Sequence, residues 1–230
     1  MNAQINRYKQ QAAERAVAYI RSGMVVGLGA GSTARLAIQH LGHLLREGVL
    51  KEIIGIPCAE VVAADAREQG IPLATLEDYP VIDLTIDGAD EVDPRLNLIK
   101  GGGGALTREK IVAEASSREI IVVDESKLVP ALGTGWAVPI EVIPFGHGSQ
   151  RRYLESLGAV VNIRRKTDGS VYYTDQGNYI FDCKFGPIPD PAQLAHKLDA
   201  RAGILEHGLF IGLASEVIVA GADGIRHITL

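Results

Sequence analysis

The chain has 230 residues, 47% apolar and 22% charged, with a formal net charge of −5 and a pI near 5.7. That is enough apolar side chain for one or two domains with real cores, and the acidic balance speaks against a nucleic-acid or membrane-surface binder. Cys58 and Cys183 are the only cysteines and lack CxxC spacing, so neither a disulfide scaffold nor a zinc ribbon is indicated; with a polar start and no apolar run of membrane-span length, a cytoplasmic protein is expected.

Helical spacing covers 4–21, with Ala12, Ala13, Ala16, Val17 and Ile20 on or near one face, and Gly23 stops it. Met24-Val25-Val26-Gly27-Leu28 reads as a short buried strand that runs into Gly29-Ala30-Gly31-Ser32-Thr33, and 34–45 continue as a helix. Strand, Gly-rich turn and helix open an α/β fold. The backbone N–H groups at such a helix entry favour an anion, and Ser32 and Thr33 add hydroxyls; an ordinary tight turn is the alternative. The dinucleotide fingerprint G-x-G-x-x-G/A fails at its last position, where Ser32 stands. The next strand, 51–56, ends in Pro57 and Cys58 rather than in an acidic residue that would hold a ribose, and the Gly-Lys of a Walker loop is missing. A sugar phosphate or another small anion therefore fits better than a nicotinamide or a nucleoside triphosphate. A helix at 59–69 follows, closed by Gly70, and then a short extended piece at 71–74.

The chemistry concentrates in the next stretch. An apolar run, 81–86, interrupted by Asp83 and Thr85, reads as a buried strand. It delivers Asp87-Gly88-Ala89-Asp90-Glu91. Lys100 then stands before Gly101-Gly102-Gly103-Gly104, which run into a helix over 105–117 with Glu109 in its first turns. Four consecutive glycines forfeit side-chain contacts and cost backbone entropy on ordering, so something there requires bare backbone. Asp87 and Asp90 also suit turns, and Glu109 also suits the positive end of a helix dipole, so each carries a structural reading beside the catalytic one. The two aspartates could ligate magnesium, but Lys100 is an awkward neighbour for a cation, and no metal is expected. Glu91 and Asp93 read as solvated loop charges, His40 and His43 as a solvent-facing pair, and Cys58 as a small buried filler.

A buried strand at 119–123 ends in Asp124-Glu125-Ser126-Lys127. Strands that end in polar loops, with helices crossing between them, predict a Rossmann-like doubly wound parallel sheet, whose ligands bind outside the carboxyl ends of the strands. The turn at 29–33, the loop at 87–91 and Lys127 are thus expected along one sheet edge. Composition shifts near Pro130. Helices at 149–157 and 191–201, alternating strands at 158–165, 172–174 and 179–183, and turns at Asp168-Gly169 and Gln176-Gly177-Asn178 predict a smaller inserted α+β domain. Strands at 209–214 and 216–220 are expected to return to the first domain. The expected division is 1–130 with 206–230 as the catalytic domain, and 131–205 as the insertion. Gly221-Ala222-Asp223 echoes Gly88-Ala89-Asp90, but no Lys or Gly run follows, and it reads as a turn without chemistry.

Gly27-Leu28-Gly29-Ala30-Gly31-Ser32-Thr33-Ala34, Asp87-Gly88-Ala89-Asp90-Glu91, the run from Lys100 to Lys110, Asp124-Glu125-Ser126-Lys127 and Pro139-Ile140-Glu141-Val142-Ile143-Pro144 together closely resemble ribose-5-phosphate isomerase of the A type. The similarity spans nearly the whole chain in order. One departure is Ala30, where the family usually carries Thr. The resemblance implies reversible conversion of D-ribose 5-phosphate to D-ribulose 5-phosphate through a cis-enediol(ate), in the non-oxidative pentose phosphate pathway, without metal or cofactor. It also implies a Rossmann-like domain, an inserted ferredoxin-like domain serving oligomerisation, a small-molecule sugar phosphate as the ligand, and a homodimer or homotetramer. Carried over by motif, Glu109 is the base, and Asp87, Asp90 and Lys100 surround the sugar oxygens. Ala30, Gly31, Ser32, Thr33 and Lys127 contact substrate, as do the backbone at Gly88, Ala89, Gly101, Gly102 and Gly103, and Lys9 in the first helix. Two other classes stay open on residues alone: a non-catalytic sugar-phosphate sensor, and a transferase or deaminase of related fold in which Glu109 would act otherwise.

Overall fold

The computed structural model describes residues 3–230; Met1 and Asn2, included in the expected first domain, lie outside the described residues. In chain order the elements are α1 (Ala3–Val17), β1 (Val25–Leu28), α2 (Ser32–Arg46), β2 (Ile54–Pro57), α3 (Glu60–Glu68), β3 (Leu84–Asp87), β4 (Glu91–Val92), β5 (Leu98–Ile99), α4 (Leu106–Glu114) and β6 (Glu119–Asp124). A single 3-10 turn at Glu125–Lys127 leads on to β7 (Val138–Val142), α5 (His147–Ser156), β8 (Val160–Ile163), β9 (Tyr179–Lys184), α6 (Pro191–Asp199), β10 (Ile204–His207), β11 (Leu209–Phe210), β12 (Glu216–Gly221) and β13 (Gly224–Ile228). The chain divides into two compact units, one of 1–89, 108–127 and 212–230, the other of 90–107 and 128–211.

The first unit is built on a six-stranded sheet of order β13-β12-β6-β3-β1-β2. All neighbours run parallel except the β12–β13 hairpin. Parallel strands lie between helical layers, which is why β6 and β12 read as unbroken apolar runs and are buried along their whole length. α1 packs on α2, β6 and β12 through Ala12, Ala13, Ala16 and Val17. The small side chains let the backbones approach closely. α1 stops at Val17, earlier than the spacing predicts, because Tyr19 and Ile20 donate three residues back, to Ala16 and Val17, and tighten the last turn. The polar interruptions before Asp87 are satisfied: Asp83 accepts from the Val25 N–H at 2.8 Å, and Thr85 bonds the Ser116 hydroxyl at 2.6 Å. From β1 the chain order leaves towards β2 on one side and β3 on the other. The loops after β1 and β3 therefore flank a topological switch point, where such sheets take ligands.

The second unit holds an antiparallel sheet of order β10-β7-β9-β8, with α5 between β7 and β8 and α6 between β9 and β10 in sequence. This is the βαββαβ ferredoxin-like arrangement. Its core includes Ile140, Val142, Leu154, Val161, Phe181 and Leu198. A three-stranded sheet, β11-β5-β4, completes the unit.

Several sequence expectations need correction. Residues 209–214 do not form a strand of the first unit: only Leu209 and Phe210 are extended, and they pair with Ile99 and Leu98. That pairing, with β4 on the far side of β5, draws 90–107 and 206–211 into the second unit, which is wider than 131–205. Residues 172–174 are not a strand; Tyr172 donates to the Arg164 carbonyl at 3.0 Å beside a single bridge between Arg165 and Val171. β7 was hidden by Pro139 and Pro144, and β13 by its exposed, mixed composition. Among the described residues no helix is long and apolar enough to cross a membrane. Cys58 and Cys183 are buried free thiols.

Candidate active site

In the first unit, β1 and β3 bring the Gly-rich turn against Asp87. Gly29 donates to the Ile86 carbonyl at 3.0 Å, and Asp87 Oδ1 accepts from the N–H groups of Ala30 at 3.0 Å and Gly88 at 2.6 Å. A Cβ at Gly29 would overlap the Asp87 carboxylate, so this approach requires glycine. Gly31 occupies the N-cap of α2 with φ +97° and gives the helix no side-chain cap. The first-turn N–H groups of α2 thus lack intrahelical acceptors, and the positive end of the helix dipole lies there too. Lys9, buried on α1, donates from Nζ to Ser32 Oγ at 3.0 Å. Lys9, Gly29, Gly31 and Ser32 line an open cavity of about 610 Å³, with Arg35 and Asp65 paired at 3.1 Å on its wall. Because Asp87 engages the Ala30 N–H, an anion in this cavity would draw on Gly31, Ser32, Thr33 and Lys9.

Glu109 lies in the first turn of α4 and is 4% exposed. A first-turn glutamate that merely complements the helix dipole would remain in water, so its burial weakens the structural reading. Lys127 closes the 3-10 turn after β6 and is half-buried. That turn is fixed by Asp124, which accepts from the Ser126 N–H at 3.1 Å. The Gly31 cap, Asp87 and Lys127 follow the carboxyl ends of β1, β3 and β6, which are adjacent strands.

In the second unit, the Asp90 N–H donates to Ile99 at 2.8 Å, and Asp90 Oδ2 accepts from the Gly102 N–H at 2.8 Å. The Lys100 N–H donates to the Gly208 carbonyl at 2.9 Å, and its Nζ stands 5.3 Å from the centre of the Phe210 ring. An ammonium at that distance is attracted by the ring face, and Lys100 is 2% exposed. Gly104 donates to Gly101 at 2.9 Å and closes the glycine run as a turn, with φ near +90° at Gly101 and Gly104. A Cβ at Gly102 would come within 2.7 Å of Asp90 Oδ1, whereas one at Gly103 would meet nothing within 4 Å. The run thus needs bare backbone for its turn and for Asp90, and it is open at Gly103.

Three features escaped the sequence. Glu91 is not solvated: it is buried and accepts from the N–H groups of Gly133, Gly135 and Trp136 at 2.6, 2.6 and 2.7 Å. Glu141, inside one of the resembling motifs, is fully buried and accepts from Thr107, from Thr174 at 2.7 Å and from Asn178 at 2.9 Å. Arg164 grips the glycine run, donating to the carbonyls of Gly101 at 3.0 Å and Gly102 at 3.1 Å. None could be found by spacing, because each bonds groups distant in sequence: backbone for Glu91 and Arg164, side chains for Glu141. The chain passes from the first unit to the second after Ala89 and returns after Thr107, so Asp87, Asp90 and Glu109 all lie next to a crossing.

Among the described residues, one group of three ligand-type side chains comes together, Asp199, Glu206 and His207. His207 Nδ1 accepts from the Leu209 N–H at 3.2 Å, so Nε2 carries the ring proton and donates to Asp199 at 3.0 Å. In that tautomer neither nitrogen offers a lone pair to a cation.

Comparison with known proteins agrees across the chain. The family model of ribose 5-phosphate isomerase A (phosphoriboisomerase A) matches residues 54–224. The ribose-5-phosphate isomerase A of Chloroflexus aurantiacus is 58% identical over 221 residues, covering 96% of this chain and 92% of its own. A D-ribose-5-phosphate isomerase solved in complex with phospho-erythronic acid superposes with a TM-score of 0.96 at 39% identity, covering 100% of both chains. The ribose 5-phosphate isomerase of Plasmodium falciparum superposes with a TM-score of 0.94 at 39% identity, over 98% of this chain and 99% of its own.

Proposed function

The chain belongs to the ribose 5-phosphate isomerase A family, and from that premise we propose that it interconverts D-ribose 5-phosphate and D-ribulose 5-phosphate with Glu109 as the base. The carrying observation is the burial of Glu109 in the first turn of α4, immediately after a glycine run fixed by Asp90 and Arg164.

An aldose becomes a ketose by losing the proton on C2 and gaining one on C1. Ionised Glu109 takes the C2 proton, which leaves a cis-enediolate, and returns a proton to C1. Catalysis of this type is worth on the order of 10²–10⁴ in rate. Charge develops on the sugar oxygens. Lys100 and the Gly103 N–H, on the open part of the glycine run, are the donors for it, and one such donor is typically worth about 10²–10³. The sugar arrives mainly as a ring, so a carboxylate beside O1 must move a proton before C2 becomes acidic. Asp87, held through Oδ1 by two backbone N–H groups, is assigned that role, and Asp90 orients hydroxyls. The phosphate is assigned to the α2 entry, where Gly31, Ser32, Thr33 and Lys9 supply donors, with Lys127 as a further contact. Holding the phosphate at a distance fixes C1 and C2 against the base. The phospho-erythronic acid bound by the related isomerase supports this reading, since it joins a phosphate through a hydroxylated chain to a planar, delocalised carboxylate that resembles an enediolate.

We further place the protein in the cytoplasm, in keeping with its free buried cysteines, and read it as a homodimer or homotetramer. Ile143, Phe145, Val160 and Leu205 of the second unit are exposed apolar side chains suited to a subunit contact, Phe145 being 92% exposed. The 131–205 insertion is assigned the oligomerisation role. Sedimentation velocity tests this, a monomer at micromolar concentration counting against it.

The reaction itself is tested by following D-ribose 5-phosphate with excess EDTA in deuterated water. Ketose carrying deuterium at C1 is the expected result. Saturable binding without ketose would point instead to a sensor, and activity restored only by magnesium would overturn the metal-free mechanism.

A further inference from the structure

We propose that Arg164 is a positioning residue for the isomerisation, setting the peptide planes of the glycine run and, through Gly102, the carboxylate of Asp90. The proposal rests on the isomerase reading above.

Arg164 follows β8 and is half-buried. Its guanidinium is held from behind by Asp182 of β9, which accepts from Nε at 3.0 Å and from Nη2. This is the two-point fork that only an arginine makes with a carboxylate. The remaining terminal nitrogen, Nη1, donates forward to the carbonyls of Gly101 and Gly102. Tyr172, whose ring lies 6.0 Å from the guanidinium carbon, adds a long contact from its hydroxyl to the Gly103 carbonyl at 3.4 Å. Burial raises the Tyr172 phenol above the usual tyrosine range, so it remains a proton donor at neutral pH.

The consequence follows from peptide geometry. In a trans peptide, C=O and N–H point in opposite directions. With the Gly101 and Gly102 carbonyls turned towards Arg164, the N–H groups of Gly102 and Gly103 are turned away from it. The first meets Asp90 Oδ2 at 2.8 Å. The second lies where the run is open to a ligand, since a side chain at Gly103 would meet nothing. A glycine run has no side chains to resist rotation of its peptide planes, so beyond the single Gly104-to-Gly101 turn bond its orientation is set from outside. Arg164 imposes it on two consecutive planes through one nitrogen.

The test is steady-state kinetics on the full-length wild type and the variants R164A, R164K and D182N, with ¹⁵N amide spectra of the same proteins. R164A is expected to lose at least about tenfold in kcat, a fraction of one oxyanion donor, while KM stays within about threefold, because the phosphate contacts are untouched. R164K, which keeps a donor but not the fork, should recover part of the loss, as should methylguanidinium added to R164A. D182N should fall less than R164A, since the bonds to the two carbonyls remain. The Gly102 and Gly103 amide resonances should move in R164A. Wild-type kcat in both R164A and R164K, a loss confined to KM, or unmoved glycine amides would overturn the proposal. If R164A fails to fold, R164K carries the test, and a kcat within about twofold of wild type overturns it. Failure of the wild type to convert the sugar would overturn the isomerase reading instead, while the amide shifts still report on Arg164.

Discussion

Glu109 and Glu91 are both buried glutamates, and the proposed roles set one to catalysis and the other to construction. Glu91 is surrounded by backbone N–H groups from a single short segment, Gly133 to Trp136. Its removal should therefore act on stability. Glu91→Ala should cost about 1–3 kcal/mol, read as a lower urea midpoint, and an unchanged midpoint would mean that the segment solvates without loss. Glu109 sits on a helix entry behind bare backbone, the place proposed for the base. Glu109→Gln keeps volume and hydrogen bonding but cannot take a proton. It should lose at least about a hundredfold in kcat with KM little changed; a variant of near-normal turnover would remove Glu109 as the base. Sequence could separate these two only halfway. Glu109 follows a glycine run that needs an explanation, whereas Glu91 looks like any loop charge until the 133–136 segment returns to it.

Elements differ in how openly their sequence declares them. The β1–turn–α2 unit was legible because an apolar run, closely spaced glycines and a helical pattern follow one another, and the physics is local. The two-residue strands β4 and β5 were not, since two residues carry no period, and β11 was read as a longer strand of the wrong sheet. What makes them strands is pairing: β4 with β5 a few residues on, and β5 with β11 from far along the chain. β7 was lost for a different reason: Pro139 reads as a breaker, yet it stands at the start of the strand, where its missing N–H does little harm. At the α2 entry a binding prediction belongs. Lys9 and Ser32 come from different helices but meet at 3.0 Å. A charge-assisted contact to phosphate is worth about 1.5–3 kcal/mol, so Lys9→Ala should raise KM at least about tenfold and leave kcat near wild type. A fall in kcat at constant KM, measured in the same assay, would move the phosphate away from this helix entry.

For the molecule as a whole, composition indicated an insertion, but not its edges. The boundaries moved because β11 pairs with β5 rather than joining the parallel sheet, a choice made by tertiary pairing and invisible to composition. The closing hairpin β12–β13 was likewise half-seen: the turn at Gly221–Gly224 was read, and the strand beyond it was not. That strand has a consequence for global stability. His227 of β13 reaches Glu216 on β12, which also takes Arg118 and, at 3.4 Å, the Tyr19 hydroxyl. Burial pushes the Glu216 carboxyl up, but the hydrogen bonds and charges of His227 and Arg118 outweigh it and hold the group below its ordinary value near 4.5. A carboxylate with a lowered folded pKa stabilises the fold above its unfolded pKa, and that contribution disappears as pH falls through the folded value. Wild type should therefore exceed Glu216→Gln in thermal midpoint at pH 7, and the gap should narrow steadily once pH drops below about 4.5. Because Glu216 begins β12 beside Ile120, at the amino ends of the parallel strands and not at the carboxyl ends that carry Asp87 and Lys127, kcat should stay close to wild type at pH 7. A gap that is constant from pH 7 to pH 3 would show that Glu216 acts through packing alone, and that the ion pairs tying β13 to the sheet contribute nothing to its stability.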